Sequence, residues 1–280
     1  MKLSVSIVTF NQEEFIGQCL DGVLSQKTGF EFEVIIGDDA STDGTRAILR
    51  DYHSRHPDKI KLLLPDENYG DRGLTNFMST VDAATGDYVA FLDGDDYWTD
   101  PEKLQRQVDF LEQNPDCAIV AHRVTHLLEN GDEYISPRPA PRDACLPVTD
   151  LVIRNFAEKI ATVVRRDALE SVPSWYRATN AVSADWVFNV LAARNGKVGY
   201  IDRIMAVHRL HKSSQSVVHG VDRMLADKLN SIYLIQPYLP TGSGPAIARA
   251  RLMVRARRLV LRLFPWVYTA IKRFDASRGF

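Results

Sequence analysis

Strand patterns and helix patterns alternate through the first 113 residues of the chain, and that alternation narrows the fold more than any other feature. LSVSIVT is followed by a helical EEFIGQCLDGVLSQ, and FEVIIG by TRAILRDYHSRH. IKLLL (60–64) is followed by LTNFMSTVDAAT, and YVAFL (88–92) by PEKLQRQVDFLEQ with Pro101 at its start. Apolar runs separated in this way form parallel βαβ units, so the expected fold is α/β, with a doubly wound, mostly parallel sheet flanked by helices. A chain of 280 residues that is 45% hydrophobic can bury the core such a sheet needs.

In a sheet of this kind the ligand crevice lies beyond the carboxyl ends of the strands. Strand one is followed by Thr9-Phe10-Asn11, strand two by Asp38-Asp39, and strand four by Asp93-Gly94-Asp95-Asp96. Asp and Gly are ordinary turn residues, and each cluster alone has that plain reading. Two acidic clusters converging on one crevice repel each other, however, and call for a positive partner. A divalent metal bridging a diphosphate fits, because hard carboxylate oxygens suit Mg²⁺ or Mn²⁺.

Other classes lack their marks. No GxGxxG follows strand one, no GxxxxGK[ST] occurs, and Tyr97 stands where a haloacid-dehalogenase-type phosphatase motif wants Thr or Val. Cys19, Cys117 and Cys145 are odd in number and show neither CxxC nor zinc-like spacing, which points to a reducing, cytoplasmic setting. MKLSVSIVTFNQEEF has no small-residue cleavage site and reads as strand one rather than a signal peptide. No stretch reaches the roughly 18 apolar residues of a membrane span. Nothing in the charge pattern calls for nucleic acid.

The second half is less regular. VTHLLENGDEYIS reads as a hairpin turning at Asn130-Gly131, followed by a Pro-rich loop and a short ATVVRR strand at 161–166. A helix opening at SADWVFNVLAARN, a strand KVGYID and a loop HRLHKSSQS (208–216) complete it.

SIVTFN (6–11), IIGDDASTDGT (35–45), FLDGDDYW (91–98) and SADW (183–186), taken with their joint spacing, resemble the inverting nucleotide-sugar glycosyltransferases of family 2, which have the GT-A fold. The resemblance covers roughly residues 1–220. It implies a nucleotide-binding half at 1–100, an acceptor-binding half at 101–220 and a helical extension at 221–280. By the same resemblance Thr9, Phe10, Asn11 and Asp39 hold the nucleobase, with Asp38 and Gly94 in the donor site, and Asp93 contacts the ribose. Asp95 ligates Mn²⁺ or Mg²⁺ on the diphosphate, and His211 lies near the metal and diphosphate. Arg209, Lys212 and Ser213 stand nearby as phosphate contacts, whereas Arg72 receives no role.

Asp185 falls where this family keeps its catalytic base. It also suits a plain helix-start residue, stabilised by the helix dipole, and Trp186 fits a core position as well as an acceptor platform. The implied reaction is transfer from a nucleoside-diphosphate sugar, UDP by family frequency, to a saccharide or lipid-linked acceptor in envelope polysaccharide synthesis. The non-enzyme alternative is an inactive scaffold subunit, and the presence of Asp39, Asp93, Asp95 and Asp185 together argues against it.

The tail is a separate electrostatic object. Residues 246–280 carry nine Lys or Arg against Asp275, which leaves residues 1–245 at about −10 within a net charge of −2. Wound as a helix, 246–264 sets Leu252, Met253, Leu259, Val260, Leu263 and Phe264 on one face, with Arg251, Arg255, Arg258 and Arg262 opposite. Pro265 ends the helix, and Trp266 and Tyr268 follow. Two readings stand: an apolar face packed on the catalytic domain or on a second copy in a homodimer, with the arginines solvated, or a peripheral anchor through 246–274 on an anionic cytoplasmic membrane surface.

Overall fold

Both faces of strand β1 (Leu3–Thr9) are covered: Leu3, Val5 and Ile7 are fully buried on one side, Ser4 and Ser6 on the other. Double coverage is what a parallel sheet requires. Parallel partners flank it, β2 (Phe32–Asp38) on one side and β4 (Tyr88–Asp93) on the other, with β3 (Ile60–Leu63) beyond β2. Helices α1 (Ile16–Leu24), α2 (Thr45–Arg55) and α3 (Leu74–Ala83) make the crossovers, as the alternating pattern predicts. The computed structural model describes residues 1–179, 181, 183–212 and 220–264.

Beyond β4 the sheet becomes mixed. Strand β9 (Val163–Arg165) lies antiparallel between β4 and β6 (Cys117–Leu128), and β10 (Lys197–Leu210) runs parallel to β6. With β5 (Tyr97–Trp98) at the edge, the order is β3-β2-β1-β4-β9-β6-β10-β5. Strand β7 (Glu133–Ile135) folds back on β6 through the expected Asn130-Gly131 turn, where Gly131 has φ 85°, a conformation open to glycine. Strand β8 (Ala144–Pro147) pairs with β10.

One expectation fails in this half. His208, Arg209 and Leu210, read as the start of a loop, are the last turns of β10, in register with His126, Leu127 and Leu128. Their polarity hid the strand, because it comes from side chains turned to other polar groups rather than to solvent.

Helix α4 (Lys103–Gln113) lines the sheet after β5, and short helices α5 (Val148–Ile153) and α6 (Arg166–Leu169) fill the second half. Helix α7 (Ala184–Ala192) is clamped to the sheet by an aromatic triangle: Phe91 of β4, Phe77 of α3 and Phe188 of α7 meet edge-on at centroid distances of 5.2–5.5 Å. Trp186 is 1% exposed and its Nε1 donates to the Leu151 carbonyl at 2.9 Å, so it is a core residue rather than an acceptor platform. Buried Asn189 adds a hydrogen bond to the Ala157 carbonyl at 2.8 Å. The thiols of Cys117 and Cys145, far apart in sequence, stand 2.8 Å apart.

Helices α8 (Val221–Ile235) and α9 (Gly244–Leu263) close the described chain. The packing face of α9 is Ile247, Ala250 and Val254, which overturns the expected apolar face. Arg258 and Arg262 both bind the Asp222 carboxylate of α8, Arg255 donates to Tyr233, and Arg251 reaches Gln236. The arginines are drawn to polar partners on the neighbouring helix, which turns Leu252, Leu259 and Leu263 outward at 58–68% exposure. Trp266 and Tyr268 lie outside the described residues. Among the described residues no helix is long and apolar enough to cross a membrane.

Candidate active site

Register alone gathers the acidic residues. Thr9 of β1 stands opposite Asp38 of β2, and Val8 stands opposite Asp93 of β4, so the segments after all three strands leave the sheet at one edge. They are tied together there: the Asp39 N–H donates to the Thr9 carbonyl at 3.0 Å and the Gly94 N–H to the Val8 carbonyl at 2.9 Å.

The turns after β1, β2 and β3 each hold a residue in the left-handed region: Asn11 (φ 52°), Ala40 (φ 60°) and Arg72 (φ 62°). They are the non-glycine residues with positive φ among the described residues, and such strain concentrates where a loop must keep one shape. The Asn11 side-chain carbonyl accepts the Thr42 N–H at 2.8 Å, and Ser41 Oγ accepts the Asn11 N–H at 2.8 Å. Asp38 is fully buried and its carboxylate accepts from Ser41 and from Arg46 Nε at 2.6 Å, so it braces the loop from within. Asp39 accepts the Tyr69 N–H at 2.9 Å; burial, with the charges of Asp71 and Asp38, pushes its carboxyl up. Phe10 is half exposed beside this loop, and Thr9 is buried and donates to Gln12 Oε1 at 2.7 Å.

After β4, Asp93 pairs with Lys159 at 2.5 Å. Asp95 Oδ2 lies 3.0 Å from Nε2 of His211, whose ring stacks on Phe15 at 5.2 Å. Burial opposes ionisation of Asp95, but the His211 hydrogen bond holds its carboxyl below the usual range. Asp96 is buried; burial and the charges of Asp95 and Asp93 push its carboxyl well up, while it accepts the Arg209 N–H at 2.8 Å. The Arg209 guanidinium donates to the Asp95 carbonyl at 2.5 Å and lies over the rings of Tyr97 and Phe15. Lys212 reaches out to Glu129 at 3.5 Å, and Ser213 lies outside the described residues. A cleft of about 380 Å³, lined by Asn11, Gln12, Phe15, Asp43, His211 and their neighbours, opens at this edge.

Asp185 sits at the first turn of α7, as expected. Burial raises its pKa; the Trp186 N–H and the Lys159 charge oppose the rise, and the Asp93 and Glu158 charges add to it. Asp185 therefore belongs to the same electrostatic cluster as Asp93, though 92 residues separate them. A buried carboxylate with a raised pKa takes up a proton more readily than a free one. The pair Asp95 and His211 offers a hard oxygen and an imidazole nitrogen facing each other, a donor set that Mn²⁺ accepts.

Sequence reading missed Lys159, Glu158, His126 and Lys228. Glu158 lies between His126 and His208 at 3.0 Å from each, and the Lys228 ammonium stands over the Trp186 ring, its pKa brought to about 8 by burial and Arg257. These residues sit in stretches with no motif, and only the chain's path in space gathers them.

The parallel first half of the sheet with its mixed second half is the GT-A architecture. It superposes on Staphylococcus aureus TarS 1–349 in complex with UDP-GlcNAc with a TM-score of 0.71 at 20% identity, covering 94% of this chain and 73% of that one. The mannosyltransferase PcManGT of Pyrobaculum calidifontis, in complex with GDP-Man and Mn²⁺, matches with a TM-score of 0.64 at 18% identity over 99% and 80% of the two chains. In sequence, the pattern of glycosyl transferase family 2 matches residues 4–172, more than half of the chain. The chain belongs to glycosyl transferase family 2.

Relatives agree. An uncharacterized protein of Mycobacterium tuberculosis is 38% identical over 222 residues, 78% of this chain and 60% of its own length. An uncharacterized glycosyltransferase of Nostoc is 32% identical over 217 residues, 75% of this chain and 65% of its own length. TuaG of Bacillus subtilis, named for teichuronic acid biosynthesis, is 38% identical over 136 residues, 47% of this chain and 52% of its own. The chain thus spans 60% of the mycobacterial relative.

Gly94 tests how tightly the edge is built. A Cβ there would stand 2.5 Å from Gln12 Oε1 and 2.9 Å from Ile16 Cδ1 and Thr9 Cβ. Gly94→Ala is expected to destabilise the protein by ~1–3 kcal/mol, the range for overpacking, measured by denaturant unfolding; an unchanged midpoint would show that the loop yields freely.

Proposed function

We propose that the chain transfers a sugar from a nucleoside-diphosphate donor to an acceptor hydroxyl with inversion at the anomeric carbon. The observation that carries this is the gathering of Asp39, Asp93, the Asp95–His211 pair and Asp185 at one sheet edge, from positions scattered over more than 170 residues. Residues 1–220 form the catalytic unit, with the nucleotide held by the 1–100 half and the acceptor by the 101–220 half. UDP is the donor nucleotide by family resemblance, and the UDP-GlcNAc complex of TarS supports it. A saccharide or lipid-linked acceptor of an envelope polymer is the acceptor class, and TuaG's naming for teichuronic acid biosynthesis supports a polymer-building role.

Thr9, Phe10, Asn11 and Asp39 bind the nucleobase, and Asp38 holds their loop in shape. Asp93, fixed by Lys159, meets the ribose. Asp95 and His211 would hold Mn²⁺ or Mg²⁺, the Mn²⁺ of PcManGT supporting the former. When bound, the ion supplies positive charge to the departing diphosphate. Asp185 accepts the proton of the acceptor hydroxyl as its oxygen attacks the anomeric carbon. The outward row of Leu252, Leu259 and Leu263 on an arginine-rich helix supports a peripheral seat on an anionic membrane surface.

Asp185→Asn separates catalysis from folding. Because burial raises the Asp185 pKa, the ionised group weakens the fold once pH passes its unfolded value. The variant should lose roughly 10²- to 10⁴-fold in turnover while its melting temperature at neutral pH stays equal or rises. Near-normal turnover with a lower melting temperature would make Asp185 a helix-start residue only.

Asp95→Ala is expected to weaken Mn²⁺-dependent UDP binding by at least about 10²-fold in calorimetry; unchanged affinity would remove Asp95 from the donor site.

Replacing Leu252, Leu259 and Leu263 together by Ser should lower recovery on anionic vesicles in co-sedimentation while donor hydrolysis persists. Equal recovery of variant and parent would leave α9 as a packing helix.

A further inference from the structure

We propose that His126, Glu158 and His208 form a second divalent-metal site of the zinc type, separate from the Asp95–His211 pair. The two histidines are direct cross-strand neighbours on the parallel strands β6 and β10, so the sheet itself sets their spacing. Tyr134, opposite His126 on β7, stacks on its ring at 4.4 Å and 6° and fixes its plane. Glu158, just before the 3₁₀ turn Lys159–Ala161, reaches between them: Oε1 lies 3.0 Å from His126 Nε2 and Oε2 lies 3.0 Å from His208 Nδ1.

The candidate donor atoms all fall within 4.8 Å of one another, the one such group of three among the described residues. Ligands about 2.1 Å from a tetrahedral ion are about 3.4 Å apart, so coordination needs the 3.0 Å contacts of Glu158 to part slightly and the widest donor pair, within 4.8 Å, to close. Two imidazoles and one carboxylate form the ligand set of zinc sites that keep an open position, and they disfavour Mg²⁺, which prefers oxygen and water. Side-chain exposure rises from 10% at His126 to 30% at His208, which places the entry path and the open position on the His208 side. The buried Nδ1 of His126 has no hydrogen-bond partner, so the ring engages through Nε2, the atom turned to Glu158. The site does not depend on the glycosyl-transfer reading, since none of its ligands is assigned to donor or base.

Chelator-stripped protein titrated with Zn²⁺ by calorimetry, and with Co²⁺ by visible absorption, tests this. The parent should bind two zinc ions per chain, and Asp95→Ala should keep one, with the intense absorption of four- or five-coordinate Co²⁺. His126→Asn and His208→Asn should each weaken that retained ion by more than about 100-fold, beyond the 10- to 100-fold that outer partners contribute. Melting curves identify a variant that fails to fold, in which case the parent and Asp95→Ala decide alone. Zinc absent from Asp95→Ala, or still bound with undiminished affinity when His126→Asn or His208→Asn is added to folded Asp95→Ala, would overturn the site. Failure of donor binding or transfer would leave the ion retained by Asp95→Ala untouched and would count against the function instead.

Discussion

Like charges brought together at low dielectric are the constraint around which this molecule is built. Asp93, Asp95, Asp96 and Asp185 come from two distant stretches of chain; the charges of Asp95 and Asp93 raise the pKa of Asp96, and that of Asp93 also raises Asp185. The fold answers each with a distinct device. Lys159 is set against Asp93, His211 against Asp95, and the Arg209 backbone N–H against Asp96. Asp185 is left with a raised pKa, and that residual tension is what a proton acceptor requires.

The scaffold that supports this tension is apolar. Phe77, Phe91 and Phe188 join a crossover helix, the acidic strand and the helix of Asp185 in one contact, so packing positions the helix that carries Asp185. Trp186 and Asn189 fasten the same helix to the segment 151–157. Burial of these side chains contributes roughly 1.5–3 kcal/mol for each large apolar group.

The first half of the fold was legible because its strands and helices differ in period and its acidic residues end strands. Asp39, Asp93 and Asp95 stood out as acidic residues at strand ends and Asp185 only through the family resemblance; Asp39 and Asp93 leave the sheet at one edge, and Asp185 feels the charge of Asp93. Lys159 and Glu158 did not stand out, because a salt bridge across 66 residues leaves no local signal. The end of β10 was hidden by its own polarity, since strand recognition relies on apolar alternation that His208 and Arg209 do not show. The C-terminal helix was legible as a helix but not in its orientation: a helical wheel gives faces, and only the partners Asp222, Tyr233 and Gln236 decide which face turns inward.

Ala40 has a consequence of a different kind. An alanine held at φ 60° carries about 1–3 kcal/mol of strain that glycine would not, so folding, and not the arrival of a ligand, sets the shape of the loop after β2. A loop shaped in advance gives up little conformational freedom when it is filled. Encounter at this edge is then closer to rigid docking than to folding around a guest, and residence time rather than capture rate becomes the quantity that side-chain changes in the crevice would tune.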